Sequence, residues 1–362
     1  MYVGISPVRI SFAGGGTDMP EYYEKYGGNV VSSTISLFTY LMIKPRKDNS
    51  FQAFSTDFEI HHSKTSYRKL KAKAGTEIAV AVIQYLNFKN GADFVLGSDV
   101  QPGSGLGASS SLTVNFINTI SKLQKKNFSK KQIAEKSFFI ERNLLLHPIG
   151  KQDGYIASYG GLNYIKFSKN NTTVTPIRLK KSKSEELQNN LLLFFLGTTR
   201  KSSIVLSKQL QKTKNMEPST INSLHKVNEL GKDLFKALKK SDLTKVGKIL
   251  DQGWMEKKNF TDQVSNPKID KIYDNAIKKG AIGGKLTGAG AGGHMLFYCE
   301  AEKQNSLKHE MKRLGLTHVD FNFYQNRYRV AGKSTMSRKG EPVARPMPAP
   351  IFSIYFNIAW PA

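Results

Sequence analysis

The sequence predicts an α+β protein with two domains, and three observations support that class. The chain has 362 residues, enough for two hydrophobic cores of ordinary size. Runs of β-branched, aliphatic and aromatic residues typical of strands, such as 30–44, occur beside segments with apolar residues at helical spacing, such as 220–239. A polar, lysine-rich stretch at residues 168–188 is typical of a linker. We therefore expect an N-terminal domain over residues 1–170 and a C-terminal domain over residues 188–330.

The predicted N-terminal domain combines short strands with four helices. Two extended runs flank Pro7, and the glycine-rich segment after them leads to a helix that begins near Pro20. The last helix ends at His147 because Pro148 cannot continue it. Further strands are predicted at residues 30–44, 51–60, 93–99 and 162–167, and further helices at residues 76–85, 112–123 and 129–146.

The predicted C-terminal domain mixes strands with longer helices. Residues 191–196 form a continuous apolar run, which indicates a strand buried on both faces. Other strands are predicted at residues 294–299 and 319–324, and helices at residues 220–239 and 243–254, before Gly280, and at residues 301–314. From Ala331 the chain contains five prolines and continues no earlier pattern. We interpret residues 331–362 as a tail outside the core, with a foreign origin left open.

The net charge is +26, which raises the question of nucleic-acid binding. The lysines are spread over predicted helix faces, as at Lys122, Lys125 and Lys130, without an arginine-rich arm, which favours a solvated surface. Such a surface would also help to gather anionic substrates. The single cysteine, Cys299, excludes an internal disulfide, and no apolar run is long enough to span a bilayer. We expect a cytoplasmic protein that binds neither nucleic acid nor membrane.

A glycine-and-serine loop at residues 102–111 runs directly into a predicted helix. Glycines at 103, 105 and 107 allow the backbone to approach a ligand closely, and the first N–H groups of a helix have no intrahelical acceptor. Such a place favours an anion, and the serine hydroxyls could bind phosphate oxygens or Mg²⁺. A plain connecting turn is the alternative. The candidate nucleotide-binding residues are Pro102, Gly103, Ser104, Gly105, Leu106, Gly107, Ala108, Ser109, Ser110 and Ser111.

The segment Gly14-Gly-Gly-Thr-Asp18 is a second candidate binding loop. Its backbone could lie close to a ligand, and Asp18 could accept hydrogen bonds from the hydroxyls of a sugar. The alternative is a turn in which Asp18 caps the helix that begins near Pro20. The candidate substrate-binding residues in this segment are Gly15, Gly16, Thr17 and Asp18.

Three other places carry candidate residues. Asp153 lies among glycines, where an aspartate is usually a turn residue. Residues 283–293 contain so many glycines that chain entropy argues against a mere connection, so we expect Gly288 and Gly290 to form a backbone wall against a ligand. Arg200 follows a predicted strand and could either bind a substrate phosphate or be a surface charge.

Five segments follow one another along the chain: Pro7-x-Arg9, Gly14-Gly-Gly-Thr-Asp18, the loop 102–111, the segment from Glu141 to Asp153, and the loop 283–293. In this order and at these separations they resemble the motifs of the GHMP small-molecule kinases, over nearly all of residues 1–330. That resemblance implies a ribosomal S5 domain 2-like N-terminal domain and a ferredoxin-like C-terminal domain, with ATP and substrate in the cleft between them. The Gly-Gly-Gly-Thr-Asp variant resembles the sugar-kinase branch, and the Gly-Glu-His-Thr-Asp typical of galactokinases is absent.

The resemblance also implies roles for individual residues. Ser109 and Glu141 would hold Mg²⁺, and the loop 103–111 would wrap the triphosphate of ATP. Asp153 would be the catalytic carboxylate, with Arg9 beside it. Such a reaction requires neutralisation of the charge on the transferred phosphoryl group and a group that orients the acceptor hydroxyl. ATP and Mg²⁺ are therefore the expected cofactors.

On this basis we expect ATP-dependent phosphorylation of the anomeric hydroxyl of a sugar whose other hydroxyls contact Asp18. The expected acceptor is D-glycero-D-manno-heptose 7-phosphate, giving the 1,7-bisphosphate for nucleotide-activated heptose biosynthesis, with Arg200 as the candidate for the second phosphate. A kinase for a neutral sugar such as L-fucose is one alternative. Alternatives of another class are a non-catalytic sugar or ATP sensor and an RNA-binding protein. The expected partner is a small-molecule sugar phosphate, and a homodimer is left open.

Overall fold

The structure is a computed structural model that describes residues 1–56, 60–72, 75–199 and 202–332. Residues Met1–Val330 form one compact unit. Of the predicted tail at residues 331–362, the structure describes the first two positions. The predicted domain boundaries at residues 170 and 188 fall inside this compact unit and stay a prediction.

The first sheet lies in the N-terminal half of the chain. Its strands run in the order β1-β2-β5-β3-β4, with β6 paired to β2 and β7 paired to β6. Only the β3–β5 pair among these is parallel. The strands are β1 (Tyr2–Ala13), β2 (Gly28–Pro45), β3 (Ser50–Ser55), β4 (Ile60–Ser66), β5 (Ala92–Ser98), β6 (Leu162–Phe167) and β7 (Thr172–Pro176).

The second sheet is antiparallel and has the strand order β11-β8-β10-β9. Its two central strands are buried almost throughout, as their apolar runs predict. The strands are β8 (Leu191–Phe195), β9 (Ala281–Leu286), β10 (His294–Cys299) and β11 (Thr317–Val319). A last strand, β12 (Arg329–Gly332), pairs with β1 at the edge of the first sheet.

Helices cover both sheets, so the predicted α+β class is confirmed. Ser129 and Gln132 form a capping box at the start of one helix, and Asn266 caps another. Among the described residues, no helix combines the length and apolar character required to cross a bilayer. The helices are α1 (Pro20–Tyr26), α2 (Glu77–Tyr85), α3 (Ala108–Leu123), α4 (Lys130–Phe139), α5 (Gln152–Tyr159), α6 (Lys181–Asn189), α7 (Ser202–Lys214), α8 (Pro218–Lys239), α9 (Thr244–Lys258), α10 (Pro267–Lys278) and α11 (Ala301–Arg313).

A shared hydrophobic core joins the two halves of the unit. Ile10 and Phe12 of β1 belong to the same buried cluster as Leu193 of β8, Leu234 of α8 and Leu296 of β10. Burial of side chains from both sheets in one cluster gives each half an apolar surface that only the other covers. This packing fixes the position of the loops at the end of β1 relative to those of the second sheet.

Several predicted elements differ from the observed ones. The segment 168–188 is not a linker: β7 pairs with β6, and α6 buries Leu187. Helix α7 was not predicted, since only scattered apolar residues such as Val205 mark it in the sequence. The strand predicted at residues 51–60 is instead two strands, β3 and β4, and residues 57–59 between them lie outside the described part of the chain.

Two further differences involve special residues in strands. Pro7 does not divide β1, because the register with β2 shifts between Pro7 and Arg9 and this bulge accommodates the proline. Gly284 belongs to β9 rather than to a loop; a Cβ at this position would overlap the Phe297 ring. Glycine there allows close packing rather than a turn. The strand predicted at residues 319–324 also differs, because β11 spans Thr317–Val319 and Phe323 makes an isolated bridge to Ile35.

Candidate active site

A cleft of about 360 Å³ lies where the two glycine loops meet. Gly105 of the first loop touches Gly288 of the second, and a Cβ on Gly288 would lie 2.5 Å from the Gly105 Cα. Gly293 is equally close to Ser104, whose carbonyl oxygen a Cβ would overlap. Since both Gly288 and Gly293 also have positive φ, only glycine fits these positions without strain. The two loops therefore form a continuous backbone lining at one end of the cleft.

All but two residues of the predicted nucleotide loop line the cleft. Gly107 adopts the left-handed conformation before α3 (φ 76°), and no side chain caps the helix. The first N–H groups of α3 are thus left for a ligand. The residues of this loop that line the cleft are Pro102, Gly103, Ser104, Gly105, Gly107, Ala108, Ser109 and Ser110.

Leu106 and Ser111, also predicted to bind the nucleotide, point elsewhere. The Leu106 side chain is fully buried in the shared core, and its carbonyl accepts the backbone N–H of Arg9 at 2.9 Å. The Ser111 hydroxyl lies 3.0 Å from the carbonyl of Ser6 and 2.9 Å from that of Pro7. Both residues anchor the loop to β1 instead of lining the cleft.

Arg9 and Asp153 form a bidentate ion pair beneath the nucleotide loop. Arg9 Nε and Nη2 each donate to a carboxylate oxygen of Asp153 at 2.7 Å, and Arg9 Nη1 donates to the Gly105 carbonyl at 2.7 Å. Asp153 lies in the first turn of α5, not in a connecting turn. A Cβ on Gly107 would lie 3.1 Å from Asp153 Oδ2, so the pair directly underlies the start of α3. Two charge-assisted bonds in one plane fix the orientation of the carboxylate.

Glu141 and Ser109 bring a second carboxylate to the cleft. Ser109 Oγ donates to Glu141 Oε2 at 2.6 Å, and Ser137 Oγ donates to Oε1 at 3.3 Å. Burial raises the pKa of Glu141 to about 7, against the opposing effect of hydrogen bonds from Ser109 and Ser110. Glu141 lies in a π-helical turn, Ile140–Leu144, that continues α4.

The donor set at Ser109 and Glu141 fits Mg²⁺. A hydroxyl and a carboxylate supply hard oxygen ligands, and Mg²⁺ in nucleotide sites takes only a few protein ligands beside phosphates and water. Within the described ranges, no group of three or more histidine, cysteine, aspartate or glutamate side chains could hold an ion by itself. An ion at Ser109 and Glu141 would therefore depend on ligands from a bound nucleotide.

Asp18 lies on the wall of the cleft and does not cap α1. Its Oδ1 accepts the Gly16 N–H at 3.0 Å and its Oδ2 accepts the Gln152 N–H at 3.1 Å. The residue before α1 is Met19, which makes no side-chain cap. Burial raises the pKa of Asp18, while the hydrogen bond from Gln152 acts in the opposite direction. A Cβ at Gly150 would overlap the Asp18 carboxylate, so glycine at that position makes room for it.

The other predicted substrate residues divide into two groups. Gly15, Gly16 and Gly288 line the cleft. Thr17 does not, because its hydroxyl donates to the carbonyls of Gly14 (2.8 Å) and Asn29 (2.9 Å) and the residue is fully buried. Gly290 also faces away and packs against Val264. Arg200 lies outside the described residues.

Three cleft residues that sequence reasoning missed carry buried polar atoms without a partner. These atoms are Ser11 Oγ, Gln152 Oε1 and Gln209 Nε2, unpaired within the described part of the chain. Buried polar atoms are nearly always hydrogen-bonded, so these atoms suit a hydroxyl-rich ligand. Ser11 could have been found from its spacing, because it lies two residues after Arg9 on the same face of β1. Gln209 lies on helix α7, which was not predicted, so no local sequence pattern indicated it as a cleft residue.

Two buried lysines complete the cleft. Lys257 of α9 donates to the carbonyls of Leu286 (3.3 Å) and Gly288, and Lys285 of β9 donates to the Phe12 carbonyl at 3.4 Å. Burial lowers the pKa of Lys285 to about 8, and the charge of Arg9 contributes. Burial also lowers the pKa of Lys257 well below its usual range, with Lys285 and Arg9 adding to the effect. Sequence reasoning assigned neither lysine a role.

Comparison with known families and proteins agrees with this geometry. Residues 68–161 match the GHMP kinases N terminal domain, and residues 234–315 match the GHMP kinases C terminal family. The D-glycero-alpha-D-manno-heptose 7-phosphate kinase of Campylobacter jejuni is 32% identical over 88% of this chain and 95% of its own length. The L-fucokinase/L-fucose-1-P guanylyltransferase of Bacteroides fragilis is 25% identical over 81% of this chain, which spans only 34% of that larger protein.

A solved structure extends the likeness to the fold. The D-glycero-D-manno-heptose 1-phosphate kinase of Bacteroides thetaiotaomicron superposes with a TM-score of 0.78, covering 92% of this chain and 99% of that one. The sequence identity of that pair is 24%, so this likeness concerns the fold alone. The predicted fold, with an N-terminal and a C-terminal part arranged as in these proteins, is thus confirmed.

Proposed function

The chain belongs to the GHMP kinase family and is a sugar kinase, and from that premise we propose that it transfers the γ-phosphate of MgATP to the anomeric hydroxyl of D-glycero-D-manno-heptose 7-phosphate. The observation that carries the proposal is the Asp153 carboxylate, held by Arg9 beneath the nucleotide loop and open to the cleft. The relative from Campylobacter jejuni, 32% identical over nearly its whole length, supports the choice of heptose.

Different residues of the cleft would have different roles in phosphoryl transfer. The loop 102–111 offers free N–H groups at the start of α3 to the phosphates of the nucleotide. Ser109 and Glu141 would hold Mg²⁺, which would neutralise charge on the phosphates. Asp153 lies near both, so its carboxylate is positioned to receive the proton of the acceptor hydroxyl as that oxygen bonds to phosphorus and the bond to ADP breaks.

The acceptor sugar would lie along the wall formed by Asp18. Its hydroxyls would donate to the Asp18 carboxylate and meet the unpaired atoms of Ser11, Gln152 and Gln209. Arg9 contributes by fixing the Asp153 carboxylate, and its positive charge lies beside the path of the transferred group. Orientation of both reactants within one small cleft supplies much of the rate in such reactions.

A kinase for a neutral sugar such as L-fucose is the second candidate. The fucokinase relative from Bacteroides fragilis favours it, although the identity is lower. The two candidates differ in whether the acceptor already carries a phosphate. A heptose 7-phosphate needs a second anion site, and L-fucose does not. Arg200 stays the proposed residue for that second phosphate.

The first test is ADP release with MgATP against heptose 7-phosphate, mannose 6-phosphate, L-fucose, galactose, mannose and homoserine, with Asp153→Asn as the matched background. We expect turnover on heptose 7-phosphate well above that on the other acceptors, and a ³¹P spectrum with a new anomeric phosphate. Turnover on L-fucose instead would replace the acceptor but keep the reaction. Tight ATP binding without turnover on any acceptor would overturn the proposal.

A further inference from the structure

Three basic side chains lie together in the cleft. Arg9 comes from β1, Lys257 from the last turn of α9 and Lys285 from β9, and all three line the cleft. Each is at most 7% exposed. Their charges act on one another, since Arg9 is a neighbour of both lysines and Lys285 of Lys257. Three like charges in a buried volume are unfavourable unless an opposite charge joins them.

Only one of the three has an anionic partner in the described residues. Arg9 is paired with Asp153, whereas neither Lys257 nor Lys285 forms an ion pair with a carboxylate within the described ranges. Each ammonium has three donors. Lys285 uses one for a long bond to Phe12, and Lys257 uses its bonds on two carbonyls of the second glycine loop. Donors thus remain for a ligand from the cleft.

The position of the lysines relates them to the reacting groups. Lys257 holds the carbonyl of Gly288, and Gly288 touches Gly105, whose carbonyl accepts from Arg9. Lys257 is therefore linked to Arg9 through the contact between the two glycine loops, and both lysines are close enough to Arg9 for its charge to act on them.

We propose that Lys257 and Lys285, together with Arg9, form a second phosphate-binding site in the cleft, which takes a phosphoryl group with two negative charges. With all three side chains protonated, a dianion would accept from the unused lysine donors and, together with Asp153, balance the three positive charges, which a neutral sugar hydroxyl cannot do. The inference rests on the proposed kinase function but does not depend on which sugar is the acceptor.

Two groups have this chemistry in the proposed reaction: the phosphoryl group under transfer and the phosphate that the acceptor already carries. They predict different kinetics for Lys285→Gln. If the site binds the transferred group, Lys285→Gln lowers kcat with every acceptor. If the site binds the acceptor's own phosphate, Lys285→Gln raises KM for phosphorylated sugars and leaves KM for neutral sugars unchanged.

Inorganic phosphate is the probe that tests the site without any sugar. Isothermal titration of the full chain saturated with MgADP, which occupies the nucleotide loop, measures phosphate binding at pH 7. We expect Lys257→Gln and Lys285→Gln to weaken binding at least about tenfold, because each removes a charge-assisted donor. Lys248→Gln removes the same charge from an exposed position on α9 and is expected to leave binding unchanged.

Lys285→Arg keeps the charge and provides the second control, with partial recovery of phosphate affinity expected. Equal MgADP affinity and equal thermal unfolding of the variants exclude misfolding as the cause. Phosphate binding that is the same in wild type and both glutamine variants would overturn the site. Because this titration uses no acceptor, a failure of the sugar panel leaves it interpretable, and a failure of the titration leaves the sugar panel standing.

Discussion

The two walls of the cleft differ in how their charged groups are satisfied. The acidic wall comprises Asp18, Glu141 and Asp153, and every one of these carboxylates accepts hydrogen bonds from the protein. The basic wall comprises Lys257 and Lys285, whose ammonium groups meet only carbonyl oxygens among the described residues. Carboxylates that are held in place by hydrogen bonds from the protein are preorganised, which suits groups that must act in the transition state. A wall with unused donors is completed by its ligand.

The strongest test of the preorganised wall is Asp153→Asn. Asparagine keeps the shape and can still accept from Arg9, but it cannot take the proton of the acceptor. We expect kcat to fall by about 10²–10⁴-fold, with ATP affinity nearly unchanged. Steady-state kinetics and nucleotide titration measure the two effects. Asp270→Asn, which changes a partly exposed ion pair with Lys258, is the control, and a wild-type rate in Asp153→Asn would contradict the assigned role.

Glu141→Gln tests the proposed metal ligand on the same wall. Loss of the carboxylate is expected to weaken divalent metal binding about 10–100-fold, the range seen when the immediate surroundings of a metal are altered. Mn²⁺ binding to the protein–ADP complex, followed by electron paramagnetic resonance, measures this independently of turnover. Glu302→Gln on the exposed face of α11 should bind Mn²⁺ as the wild type does. Equal Mn²⁺ affinity in the two variants would remove Glu141 from the metal site.

Gly288→Ala tests the contact that joins the two glycine loops. The new Cβ would lie 2.5 Å from the Gly105 Cα, a backbone atom that cannot rotate away, so we expect a loss of about 1–3 kcal/mol in unfolding free energy. Urea unfolding measures the loss. Gly253→Ala is the matched control, because that glycine lies in α9 with no atom near its Cβ. It should stabilise the protein by about 0.5–1 kcal/mol; similar destabilisation in both variants would contradict the close contact.

The basic wall predicts a pH dependence of stability. In the folded protein, burial and the charge of Arg9 lower the pKa of Lys285 to about 8, whereas a lysine in the unfolded chain has a pKa of about 10.4. Between these values the unfolded chain binds more protons, so the stability contribution of Lys285 rises with pH through this window. Below pH 8 the folded protein carries the buried charge and is less stable for it.

Lys285→Met removes that titration. The difference in unfolding free energy between wild type and Lys285→Met should therefore shift in favour of the wild type from pH 7.5 to pH 10, measured by urea unfolding without phosphate. Lys248→Met, an exposed position on the same helix as Lys257, should show no such shift. A pH-independent difference for Lys285→Met would mean that the lysine is not desolvated as its position indicates. Inorganic phosphate, if it binds beside Lys285, should reduce the shift.

Elements with strong local patterns could be predicted from the sequence, and elements defined by distant partners could not. The apolar repeat of α8 and the continuous apolar runs of β8 and β10 predicted those elements within a few residues. Strand β7 contains three threonines and exists because β6 offers a pairing edge. Helix α7 is largely polar, and Val205 is buried because it packs in a cluster with residues such as Leu224 and Phe260. The pairing of β7 and the packing of α7 both depend on distant residues, so the local sequence did not reveal these elements.

The sequence by itself determined the parts of the site that depend on local backbone chemistry. Glycines that permit positive φ and close approach, a helix start without a side-chain cap, and the acidic residues of the motifs are all properties of short segments. They indicated the nucleotide loop and Asp18 as candidates, and the family resemblance added Glu141, Asp153 and the position of Arg9 beside Asp153. The geometry of that pair agrees with the expectation.

Only the tertiary structure decided which other side chains enter the cleft. Thr17, Leu106, Ser111 and Gly290 belong to the motifs, yet their atoms are committed to the backbone or the core. Gln209, Lys257 and Lys285 come from segments far apart in the chain and meet at the cleft, where α7 packs against α1 and α9 packs against both β1 and β9. Whether a lysine is a solvated surface charge or a buried ligand donor depends on what packs over it, and the local sequence carries no record of that.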